Sequence, residues 1–347
     1  MNKKMVKKTG TNCIVCGTPG RVEFTGLNDV LFNVPGKWDL AMCPECRLFW
    51  IHPTPTGKEI AAFYNSYHTH DEFDENEWIV RVICRGIPVV SMGYVNIMIT
   101  RSERFWGFIF SLFGPMREAG KGAILWLHAR ERGKLLDVGC GSGIFLRRLG
   151  FLGWDTYGIE FDSSAAIHAS KNMQPGRVFI GKIEDYNENT RSFDVITMIH
   201  VIEHLAEPVA ALEKCYELLR PGGKLIVSTP NSRSLGARVF GKFWRGWEPP
   251  RHLYVYNPEN LSKLVSSAGF LIQEVFTPAN ASVIVWNESF RVLWMNKGIY
   301  EPGFLRKAFK GISSLSMWLF EYLVTRFGSG CGEVIHLVAV KSPIEKR

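Results

Sequence analysis

The chain has 347 residues, 46% of them apolar, enough for one α/β domain of ordinary size plus a smaller appendage. Its formal charge of +8, from 41 Lys and Arg against 33 Asp and Glu, suits an anionic partner, yet apart from Lys3, Lys4, Lys7 and Lys8 the excess is scattered. No apolar stretch reaches the ~18 residues of a spanning helix and none follows the basic start, so neither a spanning segment nor a secretory signal is expected, and a reducing cytoplasm is the expected compartment.

Four of the eight cysteines come in pairs, Cys13-Ile-Val-Cys16 and Cys43-Pro-Glu-Cys46. Two such turns can each offer two thiolates to one tetrahedral zinc, and Gly17 and Pro44 suit tight knuckles. Disulfides would need an oxidising compartment, which nothing in the composition supports. A structural zinc ribbon is therefore expected over residues 1–56. Between the knuckles Arg21 and Lys37 stand beside Glu23, Asp29 and Asp39, too little positive charge for a surface that binds a nucleic-acid backbone. A proline-rich strand and a helix ending in Phe63-Tyr64 follow. Residues 57–132 read as a helical connector with an aromatic patch, Phe105 to Phe113.

The next segment, Leu135-Leu-Asp137-Val-Gly139-Cys-Gly141-Ser-Gly143, reads as a buried parallel strand ending in three alternating glycines. A helical pattern through Phe145, Leu146, Leu149 and Leu152 begins at once. Glycines at a strand-to-helix turn let a ligand lie against bare backbone. The spacing departs from the dinucleotide fingerprint, with Ile144 in the third glycine's place. A second strand ends in Glu160-Phe161-Asp162, where a carboxylate can hold a ribose diol; Glu160 fits that place, while Asp162 or Ser163 can start the next helix. Strands also fit Phe193–Ile199, the run from Lys224 to Thr229, Phe270–Phe276 and Gly332–Val340.

This order of elements resembles the class I S-adenosylmethionine-dependent methyltransferases. The resemblance implies a Rossmann-like open α/β sheet with a final antiparallel strand over 133–347, interrupted by a helical insertion at about 278–331. It also implies that Asp137, Gly139, Gly141, Gly143, Glu160 and Phe161 cradle the cofactor. Ile183 and Glu184 would lie beside its adenine, although Lys182 stands where an Asp is frequent. The amino-terminal part is similar to the module found ahead of bacterial methyltransferases that modify sugars, nucleotide sugars and secondary metabolites.

Two clusters are candidates for the chemistry. His200-Val-Ile-Glu203-His204 ends the central strand; as a bare string it is a zinc pattern, but the methyltransferase order places it between cofactor and acceptor, with His200 toward the cofactor. The loop Trp244-Arg-Gly-Trp247-Glu-Pro-Pro-Arg251-His252 overhangs the same crevice. In sugar-modifying relatives an Arg-His pair stands here, so Arg251 can hold an anionic group and Trp247 can stack on a ring, or the tryptophans simply cover the core. His204 and His252 are the expected bases. The insertion helix over 304–327 is apolar on more than one face. Burial as a roof over the acceptor is one reading; contact with a membrane interface is the other.

The expectation is thus S-adenosylmethionine-dependent methyl transfer to a small molecule, a sugar or nucleotide sugar in glycan or secondary-metabolite biosynthesis, with a structural zinc. The alternative is a zinc-ribbon RNA-binding protein or RNA methyltransferase.

Overall fold

The computed structural model describes every residue except 1–7, 56–58, 61–62, 64–76, 172, 174–175, 188–190, 300–302, 329 and 344–347. Three of the amino-terminal lysines and Tyr64 lie outside the described residues.

The larger sheet has seven strands: β5 (Lys134–Val138), β6 (Asp155–Glu160), β7 (Val178–Ile180), β8 (Phe193–Ile199), β9 (Leu219–Pro230), β11 (Leu271–Phe276) and β12 (Val334–Val340). Their order is β11-β12-β9-β8-β5-β6-β7, with β12 antiparallel to both neighbours and the β7-β6-β5-β8-β9 run parallel. Chain direction across the sheet reverses at β5, whose neighbours are β6 and β8. Ligands of open α/β sheets bind at that switch point, outside the carboxyl ends of the strands.

A smaller sheet holds β1 (Lys8–Asn12), β2 (Pro19–Leu27), β3 (Trp38–Met42) and β4 (Phe49–His52), and it is closed by β10 (Tyr254–Val255). The helices used below are α1 (Arg101–Leu112), α2 (Gly114–Gly122), α3 (Ile144–Phe151), α4 (Ser163–Lys171), α5 (Pro208–Leu218), α6 (Leu235–Phe240), α7 (Pro258–Ser267), α8 (Ser282–Asn296) and α9 (Phe304–Thr325).

Alternation along the strands splits the core between the two faces of the large sheet. Leu136, Val138, Ile196, Met198 and Val227 face α5 and α7, through Leu212, Cys215, Leu261 and Leu264. Leu135, Val195 and Ile226 face α3 and the connector, through Leu146, Tyr94, Ile124 and Leu127. The connector is thus a covering layer of the sheet.

The ribbon is joined to the larger unit by backbone, packing and charge. The Leu253 peptide accepts from the Ile51 N–H and donates to the Glu203 carbonyl, at 3.0 and 2.8 Å. Asn257 and Asn260 cap α7 reciprocally, and both side-chain amides also donate to the Cys46 carbonyl. Trp247 is 2% exposed, with ring centroids of Phe49 and Trp244 4.8 and 5.0 Å away, and its Nε1 donates to the Gly241 carbonyl. Its expected stacking on a substrate ring gives way to packing across the seam, because the ribbon's Phe24 and Phe49 occupy its faces.

Arg251 is likewise turned inward. Its guanidinium donates to Asp29 Oδ2 at 2.8 Å and Glu248 Oε1 at 2.9 Å and lies 4.3 Å from the Phe32 ring centroid. All three charged side chains are at most 5% exposed. The residue expected to hold a substrate anion is therefore engaged by two carboxylates of its own chain.

Removing one member of a buried ion group leaves the others uncompensated, at a cost of about 3–5 kcal/mol. Arg251→Met should lower unfolding stability by that amount in urea titrations. Double replacement with Asp29→Asn should recover part of the loss, since one orphaned charge is gone. Full stability in Arg251→Met would show that the guanidinium does not hold the seam.

Candidate active site

β5 ends at Val138, and the chain turns through Gly139, Gly141 and Gly143 with φ of 71°, 55° and 78°. These left-handed values favour glycine. The three glycines differ in what surrounds them. A Cβ on Gly139 would stand 2.5 Å from Val201 Cγ2, and one on Gly143 would stand 3.0 Å from the Ala169 Cβ. A Cβ on Gly141 would meet nothing within 4 Å. The first and third glycines permit close packing against β8 and α4; the middle one presents bare backbone to open space.

Two carboxylates flank that turn. Asp137 is buried and accepts from the Thr197 hydroxyl at 2.6 Å across the β5–β8 pairing. Burial pushes its pKa up to about 7, against the hydrogen bond from Thr197, and the charge of Glu160 adds to the rise. Glu160 ends β6, where Oε2 accepts from the Gly141 N–H at 2.8 Å and Oε1 from the Asp162 N–H at 2.9 Å. Burial raises its pKa too, outweighing those two bonds. Both acids are short of donors, and hydroxyls or an ammonium group of a ligand would supply them. Asp162 Oδ1 accepts from the Ala165 N–H and so caps α4. Phe161 is exposed beside Glu160, and Ile183 is buried in a one-turn 3₁₀ helix with Glu184 exposed next to it.

At the end of β8 the chain makes a second left-handed turn, at His200, with φ of 54°. A non-glycine residue there carries strain, and such strain clusters at functional sites. The His200 N–H is held by the Ser228 carbonyl. Its Nδ1 lies 3.1 Å from Glu203 Oε1, while 49% of its side chain is exposed. Glu203 itself is fully buried, and its Oε2 accepts from the Thr229 hydroxyl at 2.8 Å. Burial alone would raise the Glu203 pKa, but His200, His204 and His252 hold it at about 2. For His200, burial lowers the pKa, and the Glu203 hydrogen bond and charge overcome it, leaving a net rise. Glu248 adds to the rise and Arg245 opposes it. A buried, ionised carboxylate thus orients a half-exposed imidazole and increases its basicity.

The two histidines expected as bases are placed differently. His252 is 4% exposed, and its Nδ1 faces the Gly246 carbonyl at 2.7 Å. Its Nε2 is 3.4 Å from Glu248 Oε2. Burial lowers its pKa to about 4, despite Glu248. His204 turns Nδ1 to the Arg251 carbonyl at 3.0 Å, and its ring lies 4.8 Å from that of His252. The pair supports the loop that carries Arg251. Glu203, His204 and His252 each bring a ligand-type atom within 4.8 Å of the others. Thr229 and His200 already engage the Glu203 carboxylate, and Gly246 and Glu248 flank His252. The cluster therefore reads as a hydrogen-bonded support. Glu248, unnoticed in the sequence, is the hub of the loop, contacting Arg245, Arg251 and His252. A lone acid among tryptophans and prolines was the available signal.

The four paired cysteines converge as well. The Sγ atoms of Cys13 and Cys46 are 3.5 Å apart, those of Cys16 and Cys43 3.4 Å, and those of Cys16 and Cys46 3.8 Å. Val15 and Cys46 direct their N–H groups toward the Cys13 and Cys43 sulfurs at 3.4 and 3.5 Å. Of the two cations between the knuckles, Arg21 pairs with Glu23.

Comparison with known proteins agrees with this geometry. A family described as a methyltransferase domain matches residues 116–275. A ubiquinone biosynthesis O-methyltransferase of Cereibacter sphaeroides is 30% identical over 184 residues, covering 47% of this chain and 70% of that protein. The chain belongs to the S-adenosylmethionine-dependent methyltransferases. A protein of the same description from Nitrosospira multiformis is 29% identical over 206 residues, 54% of this chain and 86% of that protein. Among solved structures, a possible histamine N-methyltransferase from Thermotoga maritima aligns with a TM-score of 0.42 and 21% identity, over 70% of this chain and 95% of that one. The Rossmann-like fold expected from the sequence is the fold of this methyltransferase.

The open backbone at Gly141 yields a direct test. In Gly141→Val the branched side chain should fill the space a ligand needs, and the left-handed φ should add about 1–3 kcal/mol of strain. Calorimetric titration with S-adenosylhomocysteine is expected to show affinity lowered at least 100-fold in protein that keeps its native circular dichroism. Undiminished affinity in that folded variant would remove the glycine turn from the cofactor site.

Proposed function

We propose that this methyltransferase transfers a methyl group to a hydroxyl of a small-molecule acceptor, with His200 as the base that receives the hydroxyl proton. The observation that carries the reading is the His200–Glu203 dyad, an exposed imidazole backed by a buried carboxylate at the switch point of the sheet. The bound cofactor supplies a methyl group on a positively charged sulfur, so the donor needs no activation by the protein. What the chain must supply is alignment, exclusion of water and a destination for the proton.

Asp137, Glu160 and the open backbone of Gly141 would hold the cofactor, with Phe161, Ile183 and Glu184 along its adenine side. Glu203 accepts from Nδ1–H of His200, which leaves the lone pair on Nε2. Nε2 takes the acceptor's proton, and the Glu203 carboxylate stabilises the imidazolium that results. The relatives' names, both O-methyltransferases, support oxygen as the atom methylated. Sugars or nucleotide sugars follow from the amino-terminal module, and a ubiquinone-related ring from those names. Transfer of labelled methyl into nucleotide sugars and into hydroxylated quinones, with mass analysis of products, separates the two.

The base assignment has a pH signature. His200 must be neutral to act, so turnover should rise with pH through a pKa above the usual histidine value of about 6.5. Glu203→Gln removes the group that raises this pKa, so the acidic limb should move to lower pH while maximal turnover falls. His200→Ala should reduce turnover by about 10²–10⁴-fold and leave cofactor affinity unchanged. An acidic limb that stays in place in Glu203→Gln would assign the proton to another group.

The cysteine cluster supports a structural zinc held by Cys13, Cys16, Cys43 and Cys46. Tetrahedral ligands about 2.3 Å from the metal stand roughly 3.8 Å from one another, and three of the measured separations fall close to this. Elemental analysis of protein made under reducing conditions should find close to one zinc per chain, and Cys43→Ser should lose it. Because Cys46 anchors α7 through Asn257 and Asn260, metal loss should also lower the melting temperature of the whole chain. Zinc-free protein of undiminished stability would refute the assignment.

A further inference from the structure

We propose that α1 and α9 together form a face that docks on an anionic lipid surface. The observation is an inverted helix. In α9 the fully buried side chains are Ser314 and Glu321, with Met317 packed between them against the core, Ser314 Oγ donating to Asn287 Oδ1 and Glu321 Oε1 accepting from the Glu333 N–H. The opposite stripe, at helical spacing, is apolar and exposed: Phe309, Ile312, Leu315, Leu319 and Leu323. Ordinary folding places these two sets the other way round, since burial of a large apolar side chain is worth about 1.5–3 kcal/mol.

The stripe continues onto α1. Phe113, at the end of that helix, meets Trp318 with ring centroids 6.5 Å apart, and Phe105, Phe108 and Leu112 are exposed beside it. A joined apolar area on two helices exceeds the scattered exposure normal for a soluble protein surface.

Charge decides the occupant. The two helices carry only two carboxylates, Glu103 and Glu321, and both are buried. Glu103 is paired with Arg81, and Glu321 faces inward. Of the charged groups left toward solvent, Arg101 and Arg104 stand on the α1 face that carries Phe105, Phe108 and Leu112, while Lys307 and Lys310 fall, by helical spacing, on the Ser314 and Glu321 side of α9 near its start. An anionic bilayer offers the complement to both parts, headgroups for the cations and the acyl boundary for the aromatics and leucines. No described helix is long and apolar enough to cross a membrane, so the contact is one of lying on the surface.

The test uses full-length protein with vesicles of phosphatidylcholine alone and with about 30% phosphatidylglycerol added, separated by flotation at about 50 mM salt. Partitioning should be at least tenfold greater on the anionic vesicles and fall as salt rises. Ile312→Ser with Leu323→Ser should abolish it, and Arg101→Glu with Arg104→Glu should weaken it at least threefold. Both variants should bind S-adenosylhomocysteine as the parent does, because none of these side chains lies in the crevice of Gly141, Asp137 and Glu160. Absence of the parent protein from the anionic vesicles overturns the proposal. So does a dimer, seen by light scattering without lipid, that the Ile312→Ser, Leu323→Ser variant converts to monomer, since the face would then belong to a second copy.

Discussion

The guanidinium of Arg251 is the point through which the two sheets become one structure. Asp29 reaches it from the small sheet, Glu248 from the loop after α6, and Phe32 covers its face. Two carboxylates around one cation leave a net negative charge in a water-poor site, which is tolerable only with further partners. Arg245 supplies one on Glu248, and His252 lies on the same oxygen. The Arg251 carbonyl in turn positions His204, and the next peptide but one bonds to Glu203. Hydrogen bonds and the short backbone run from Arg251 to Leu253 therefore connect the ribbon loop to the turn that carries His200 and Glu203.

The carboxylates of the crevice divide into two kinds. Asp137 and Glu160 have raised pKa values because burial exceeds what Thr197 and the backbone return to them. Glu203 and Glu248 are lowered because cationic or protonatable neighbours exceed the same burial. Groups of the first kind gain when a ligand brings donors; groups of the second kind are already satisfied and act by fixing others. Environment alone thus separates four acids of similar chemistry into two with raised and two with lowered pKa values. The histidines sort by the same logic. His204 and His252 turn Nδ1 to backbone carbonyls, whereas His200 turns it to the Glu203 carboxylate and is the most exposed of the three.

Much of this was legible in the sequence wherever a local pattern carries the information. The strand before Gly139, the cap at Asn257, the acid at the end of β6 and the four cysteines each depend on residues close in sequence. What was not legible depends on pairing across long separations. Nothing near Trp247 tells that two phenylalanines of the ribbon occupy its faces, and an arginine beside a histidine reads the same whether it holds substrate or an internal aspartate. The sequence puts His200 toward the cofactor, and its left-handed turn and the burial of Glu203 behind it are tertiary facts that no local pattern carries. The insertion was read as apolar on more than one face, and which face turns inward depended on Asn287 and Glu333, neither of them in the helix.

The closing of the small sheet by β10 bears on how the chain is made. Strand β4 ends at His52 and its partner begins at Tyr254, so roughly two hundred residues separate the two. At about 5–20 residues per second, a ribosome needs some 10–40 s to deliver the missing strand. Through that interval β4 has an unpaired edge, and Asp29 waits for a counterion that has not yet been synthesised. The pairings of β1 to β4 are local and can form in that interval, and the metal site proposed above would brace them once Cys46 has emerged. The edge of β4 and the charge of Asp29 are satisfied last.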